Sequence, residues 1–219
     1  DLVKEILNDD AKVNAVNAVL NNLASLDLFN DVAVPAANSI VAKLIAEKAP
    51  NFEGILDLTQ LSEEEWKNDF ADLILIAQNV YEICGFNFTL ADINFTKVGG
   101  DLGTDTIALL FGLNLLDDDE AKNNLVLAAL KQFKVIDEEN LENVDLSEVV
   151  WTNEQGYSEV ANLQAILTIV GKMSRLEGVD INKGSYDLEM ILNNDETYEY
   201  VVDLLDVVVD SKLMLELLP

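Results

Sequence analysis

The sequence predicts an all-α protein of about eight to ten helices, arranged as internally repeated helical bundle units that share a core. Three observations carry that expectation. One stretch occurs three times, at Ile6 to Leu23, Leu115 to Leu130 and Ile191 to Leu205. Its apolar residues recur at helical spacing. Half of the 219 residues are hydrophobic, which supplies a packed core and argues against disorder.

Aligned without gaps, the three copies superpose Val16, Leu125 and Val201, then Val19, Ala128 and Leu204, then Leu20, Ala129 and Leu205. The i, i+3, i+4 spacing puts each set on one face of a helix. Ahead of each copy stands an Asn/Asp cluster: Asn8-Asp9-Asp10, Asp117-Asp118-Asp119 or Asn193-Asn194-Asp195. A side-chain oxygen there accepts an orphan N–H of the first turn, and negative charge suits the positive end of the helix dipole. Clustered carboxylates would also suit calcium. The loops lack the alternating ligands and central glycine of an EF-hand, so capping is the expectation and a divalent cation is not the favoured partner.

In chain order, residues 2–7 are expected to form a short helix, with the first long helix running on to about Leu26. A connector from Leu26 to Val32 leads to a helix over Pro35–Lys48. Pro35 suits its first turn, and Ala49-Pro50 stops it. The segment to Leu61 reads as irregular. Ser62 and Glu65 have capping-box spacing ahead of Trp66 and of a helix through Phe70 to Ile83. Its counterpart is Asp145 to Trp151, then Tyr157 to Val170. Phe70-Ala-Asp-Leu73 matches Tyr157-Ser-Glu-Val160 in type, and Trp66 and Trp151 are matching hydrophobic anchors. Both helices are followed by Asp-Ile-Asn, at Asp92-Ile93-Asn94 and Asp180-Ile181-Asn182, and then by a glycine-bearing loop. A short apolar helix comes next, Thr106 to Leu115 or Tyr186 to Ile191, before the acidic cap and long helix return.

These correspondences define one unit over 62–142, another over 143–219, and a partial or degenerate unit over 1–61 with an added helix at Pro35. A period near 80 residues exceeds common solenoid repeats, so side-by-side bundles are expected. The start at Asp1, part-way through a unit and without Met, leads to the expectation of a segment of a longer chain.

Composition narrows the function. Lys plus Arg number 13 against 41 Asp plus Glu, for a net charge of −28. Such acidity repels nucleic acid and anionic membrane surfaces, and no apolar run reaches spanning length. Histidine is absent, which removes the usual general base and the commonest transition-metal ligand. The single cysteine, Cys84, forms no internal disulfide and reads as a small buried hydrophobe. Gly99-Gly100-Asp101-Leu102-Gly103 precedes a helix but lacks the Lys-Ser/Thr of a phosphate loop, so a flexible or left-handed turn is expected. Asp180 to Glu189 faintly resembles a calcium loop, but Ile191 stands where a bidentate acid belongs. A turn in which Asp and Asn bond their own backbone is the better expectation there. Asn87-Phe88-Thr89 and Asn94-Phe95-Thr96 fit the N-glycosylation pattern. No Gly-x-Ser-x-Gly, His-Glu-x-x-His or dinucleotide fingerprint occurs.

The sequence thus singles out no catalytic, cofactor-binding or metal-ligating residue. It leads to a non-catalytic structural or interaction module with a protein partner, part of a larger exported or cell-surface bacterial protein. The alternatives are a calcium- or small-ligand-binding helical module and a glycan-acting enzyme that uses paired carboxylates.

Overall fold

The computed structural model describes residues 5–6, 9–25, 31–32, 34–85, 88–136, 138–152 and 158–217. Most of the expected short helix at 2–7, residues 26–30 of the connector, Asn87 and Tyr157 lie outside these residues. The fold is all-α, with eleven helices among the described residues. They are α1 Asp10–Ser25, α2 Val34–Lys48, α3 Glu63–Cys84, α4 Phe95–Val98, α5 Asp101–Phe111, α6 Asp119–Gln132, α7 Glu138–Leu141, α8 Glu159–Met173, α9 Leu188–Leu192, α10 Asp195–Asp210 and α11 Lys212–Leu217. The stretch between α2 and α3 forms two single 3-10 turns, Pro50–Phe52 and Leu58–Gln60.

Local chemistry starts the helices. Ser62 accepts from the Glu65 N–H while Glu65 reaches back to the Ser62 N–H, closing the expected capping box of α3. Hydrogen bonding from the Ser62 side chain, and then from the Ser62 backbone N–H, holds the Glu65 carboxyl below its usual range. Asp118 accepts from Ala121 N at 2.6 Å, Asn194 from Glu196 N at 3.0 Å, and Asp9 from Ala11 N at 3.0 Å. All three acidic clusters therefore cap first turns. Gly85, at φ 62°, ends α3 in the left-handed conformation that glycine adopts without penalty.

Helices α3, α5, α8 and α10 pack one on the next, α4 lies against α8, and α1 touches α3. The main core joins both halves of the chain: Ile76, Phe111, Leu113, Leu116, Leu125 and Val126 meet Leu146, Val149, Trp151 and Leu213. A smaller cluster holds Val34, Ala37, Leu58 and Trp66, with Leu73 and Leu115 packing against both. Trp66 and Trp151 are both fully buried, as anchors should be. Each such side chain contributes roughly 1.5–3 kcal/mol by leaving water. Their neighbours differ. Trp66 stacks on Phe70 at 4.7 Å, whereas Trp151 lies tilted against Phe111 at 4.8 Å and donates Nε1–H to Asn123.

Two expectations need correction. The glycines before α5 are not in the left-handed region: Gly99 has φ −84° and Gly100 φ −102°. The glycines there serve close approach instead. A Cβ on Gly99 would stand 2.2 Å from the Gly171 Cα, and one on Gly103 would stand 1.8 Å from the Val98 carbonyl oxygen. Only backbones without side chains let α4 touch α8 and α5 turn so tightly out of α4. The second correction concerns the short helix expected from Tyr186: Tyr186 lies in a small antiparallel hairpin that pairs Val179 with Tyr186 and Asp180 with Ser185, and the helix runs over Leu188–Leu192. Gly184, at φ 59°, makes the turn of the hairpin.

Candidate functional site

Several of the acids and amides in the sequence motifs are engaged locally. Asp180 accepts from Lys183 N and pairs with Lys183 Nζ at 2.7 Å, and this partner holds its carboxyl below the usual range. Asn94 accepts from Lys97 N at 3.1 Å, and Asp92 accepts from the Thr89 hydroxyl. Asp180 and Asn94 thus make the local backbone bonds expected of Asp-Ile-Asn, whereas Asp92 bonds a side chain. Asn182 departs from the pattern. Its amide donates to the carbonyls of Leu90, Ala91 and Ile93 at 3.2, 3.0 and 2.8 Å, so it ties the second Asp-Ile-Asn loop onto the first. Among the described residues no group of three Asp, Glu or Cys side chains is placed to hold a metal ion.

Two buried acids escaped the sequence reading. Asp69 on α3 is fully buried and accepts from Asn114 N, Asn114 Nδ2 and Leu115 N at 3.0, 2.8 and 2.9 Å. It pins the turn between α5 and α6. Glu159 on α8 accepts from Ser211 Oγ at 2.8 Å and Lys212 N at 2.7 Å, pinning the start of α11. Buried carboxylates survive only when hydrogen-bonded in this way. The signal that could have found Asp69 is its place on the apolar stripe, three residues after Trp66 and beside Phe70. Nearby Asp72 has its carboxyl raised, first by burial and then by the charge of Asp69. Cys84 is buried, with its thiol toward the Val80 carbonyl at 3.3 Å.

The concave features are modest. A hollow of about 660 Å³ between the Asn51–Ile55 segment and α6 is lined by Leu127, Ala128 and Lys131 among others. A second, of about 650 Å³, lies between the hairpin and α9.

The distinctive surface is convex. Of the 17 large hydrophobic side chains exposed among the described residues, ten lie between Tyr186 and Leu215. Five of these form one stripe on α10: Tyr198, Val201, Val202, Leu205 and Val209, exposed by 79, 40, 36, 57 and 69%. At about 100° per residue they fall within a sector of roughly 100°, a third face between the one that packs on α8 and the acidic one. Thr197 is buried on the packed side, where Lys172 lies over the Tyr200 ring at 5.5 Å. The acidic sector holds Asp195, Glu196, Glu199, Asp203, Asp206 and Asp210, and α10 contains no Lys or Arg. In the sequence, the spacing of Val201, Leu204 and Leu205 puts the three on one face of the helix. Leu204 is half-buried, while Val201 and Leu205 open to solvent.

No helix of the described residues is long and apolar enough to cross a membrane. No protein-family model, curated protein or solved structure matches the chain at a significant level.

Proposed function

We propose that the chain is a non-catalytic helical interaction module that binds a protein through the exposed stripe of α10. The observation that carries this reading is the stripe itself. Five aligned apolar side chains left in water on one helix forgo the stabilisation that covering them would give, and surfaces of this kind mark interaction sites. The acids elsewhere support a non-catalytic role, because Asp69 and Glu159 are taken up by backbone N–H groups that they hold in place. Two related units, over 62–142 and 143–219, are part of the proposal. The buried Trp66 and Trp151, and the two Asp-Ile-Asn turns, support them.

The test is photo-crosslinking in the cells that make the protein, from a benzoylphenylalanine at position 205 or, as control, at exposed position 119. Discrete adducts from 205 and none from 119 are expected. Equal patterns from both positions, or no adduct from 205, would refute the reading.

A further inference from the structure

The α10 stripe has an internal counterpart that shows what such a face does when covered. In the gapless alignment of the acidic-capped helices, Val201 and Val202 stand where α6 has Leu125 and Val126. On α6 those two are only 4 and 8% exposed. They share the main core with Leu146, Val149 and Trp151, and Asn123 fastens the 146–151 segment by donating to the Leu146 carbonyl and accepting from Trp151 Nε1. The same helical positions are therefore roofed on α6 and open on α10.

Charge separates the two faces. The α6 helix carries two acids and two lysines, and its roof includes acidic Asp145 and Glu148. The α10 helix carries six acids and no base, and where α6 offers Asn123 it has Glu199. An acidic roof is repelled there. So is a second copy of this chain presenting the same face, since two such helices would bring twelve carboxylates together. The nearby cations Lys172 and Arg175 sit toward Tyr200, on the side of the helix away from the stripe.

We infer that the α10 stripe, with its acidic sector alongside, is the docking face for a cationic amphipathic helix of a partner protein. This deepens the interaction reading above and rests on it. The stripe runs from Tyr198 to Val209, about three turns, which matches the apolar face of a helix of similar length. The partner's apolar side chains cover Val201, Val202 and Leu205, while its Lys and Arg side chains reach Glu199, Asp206 and Asp210. The apolar contact supplies most of the affinity, and the charges select the partner and speed the encounter.

The experiment measures binding of fluorescent peptides of about 18 residues to the intact chain by anisotropy, at low and high salt. One peptide is a Leu/Lys sequence with helical periodicity. The second has the same composition in scrambled order, and the third has Glu in place of Lys. Binding by the periodic basic peptide alone is expected, weakening as salt rises. Leu205→Glu should weaken it on the order of tenfold or more, about 1.4 kcal/mol per factor of ten. Glu199→Gln with Asp206→Asn should weaken it and flatten the salt dependence. Equal binding of the scrambled peptide would overturn the inference by showing charge attraction without a face. Binding of the acidic peptide, or a dimer of the chain dissolved by Leu205→Glu, would overturn the cationic assignment. No peptide binding, together with crosslinks from position 205 in cells, would sink the partner chemistry and leave the interaction reading standing. Loss of both would remove that reading as well.

Discussion

Replacing Asp69 by alanine tests how α3 holds the turn between α5 and α6. Its carboxylate accepts three N–H groups, from Asn114 N, Asn114 Nδ2 and Leu115 N, all at 2.8–3.0 Å, in a fully buried setting. Hydrogen bonds to a charged acceptor contribute about 1.5–3 kcal/mol each net of water. Three would sum to roughly 4.5–9 kcal/mol. The desolvation of the carboxylate, several kcal/mol in itself, is relieved by the substitution and offsets part of this. Alanine leaves two backbone N–H groups unsatisfied beside the tightly packed Leu113 and Leu116. The expected loss is about 3–5 kcal/mol, the part of that sum left after the relieved desolvation is subtracted. Urea unfolding followed by far-ultraviolet circular dichroism reads this as a lower midpoint at unchanged slope. Asn114→Ala removes only the side-chain bond and should lose about 1–2 kcal/mol, with the double variant less than additive. A loss under about 1 kcal/mol for Asp69→Ala would refute the role given to this carboxylate.

Three further outcomes follow from the geometry. Gly171→Ala places a Cβ 2.3 Å from the Gly99 Cα, so α4 and α8 must separate. A loss of about 1–3 kcal/mol is expected, or roughly 3–10 °C in melting temperature for a chain of this size. Gly100→Ala, whose Cβ meets nothing nearer than 3.5 Å, should change little, and equal effects at the two sites would contradict the close-approach account. Asp72 has a folded-state carboxyl raised above its ordinary 3.8 by burial and by Asp69. Its contribution to stability is therefore fully present below that value and is lost as pH rises through the raised folded value. Asp72→Asn should raise the melting temperature at neutral pH and lose that advantage in acid, and a gain present only in acid would invert the assignment. Trp151→Phe keeps most of the packing but drops the 2.8 Å bond to Asn123, for an expected loss of about 1–2 kcal/mol in the same urea assay.

The helices and their starts were legible because both rest on chemistry within a few residues. Ser62 with Glu65, and Asp118 ahead of Ala121, declare themselves by spacing alone. What stayed hidden depends on contacts between distant parts of the chain. Nothing near Gly99 in sequence reveals Gly171 lying against it, and nothing near Asn182 reveals the carbonyls of residues 90, 91 and 93. The hairpin at Val179 was missed because its strands are two residues each, too short for any period. The α10 face shows a different limit. Apolar spacing identifies a face that suits burial, and it reads the same for Leu125, which is covered, and Val201, which is not. Only the fold shows what lies on top, and the acidity of α10 becomes informative only once its face is seen to be open.

Cysteine labelling of the free chain tests that openness most directly. In a Cys84→Ser background, a cysteine at position 205 is compared with one at position 125, on the aligned but covered face of α6. A maleimide should modify the native chain at 205 about as fast as the urea-unfolded chain. At 125 it should react only as the protein opens, more slowly by orders of magnitude. Protection at 205 equal to that at 125, in a chain shown to be folded and monomeric, would mean that the α10 stripe is already covered and that no docking face exists.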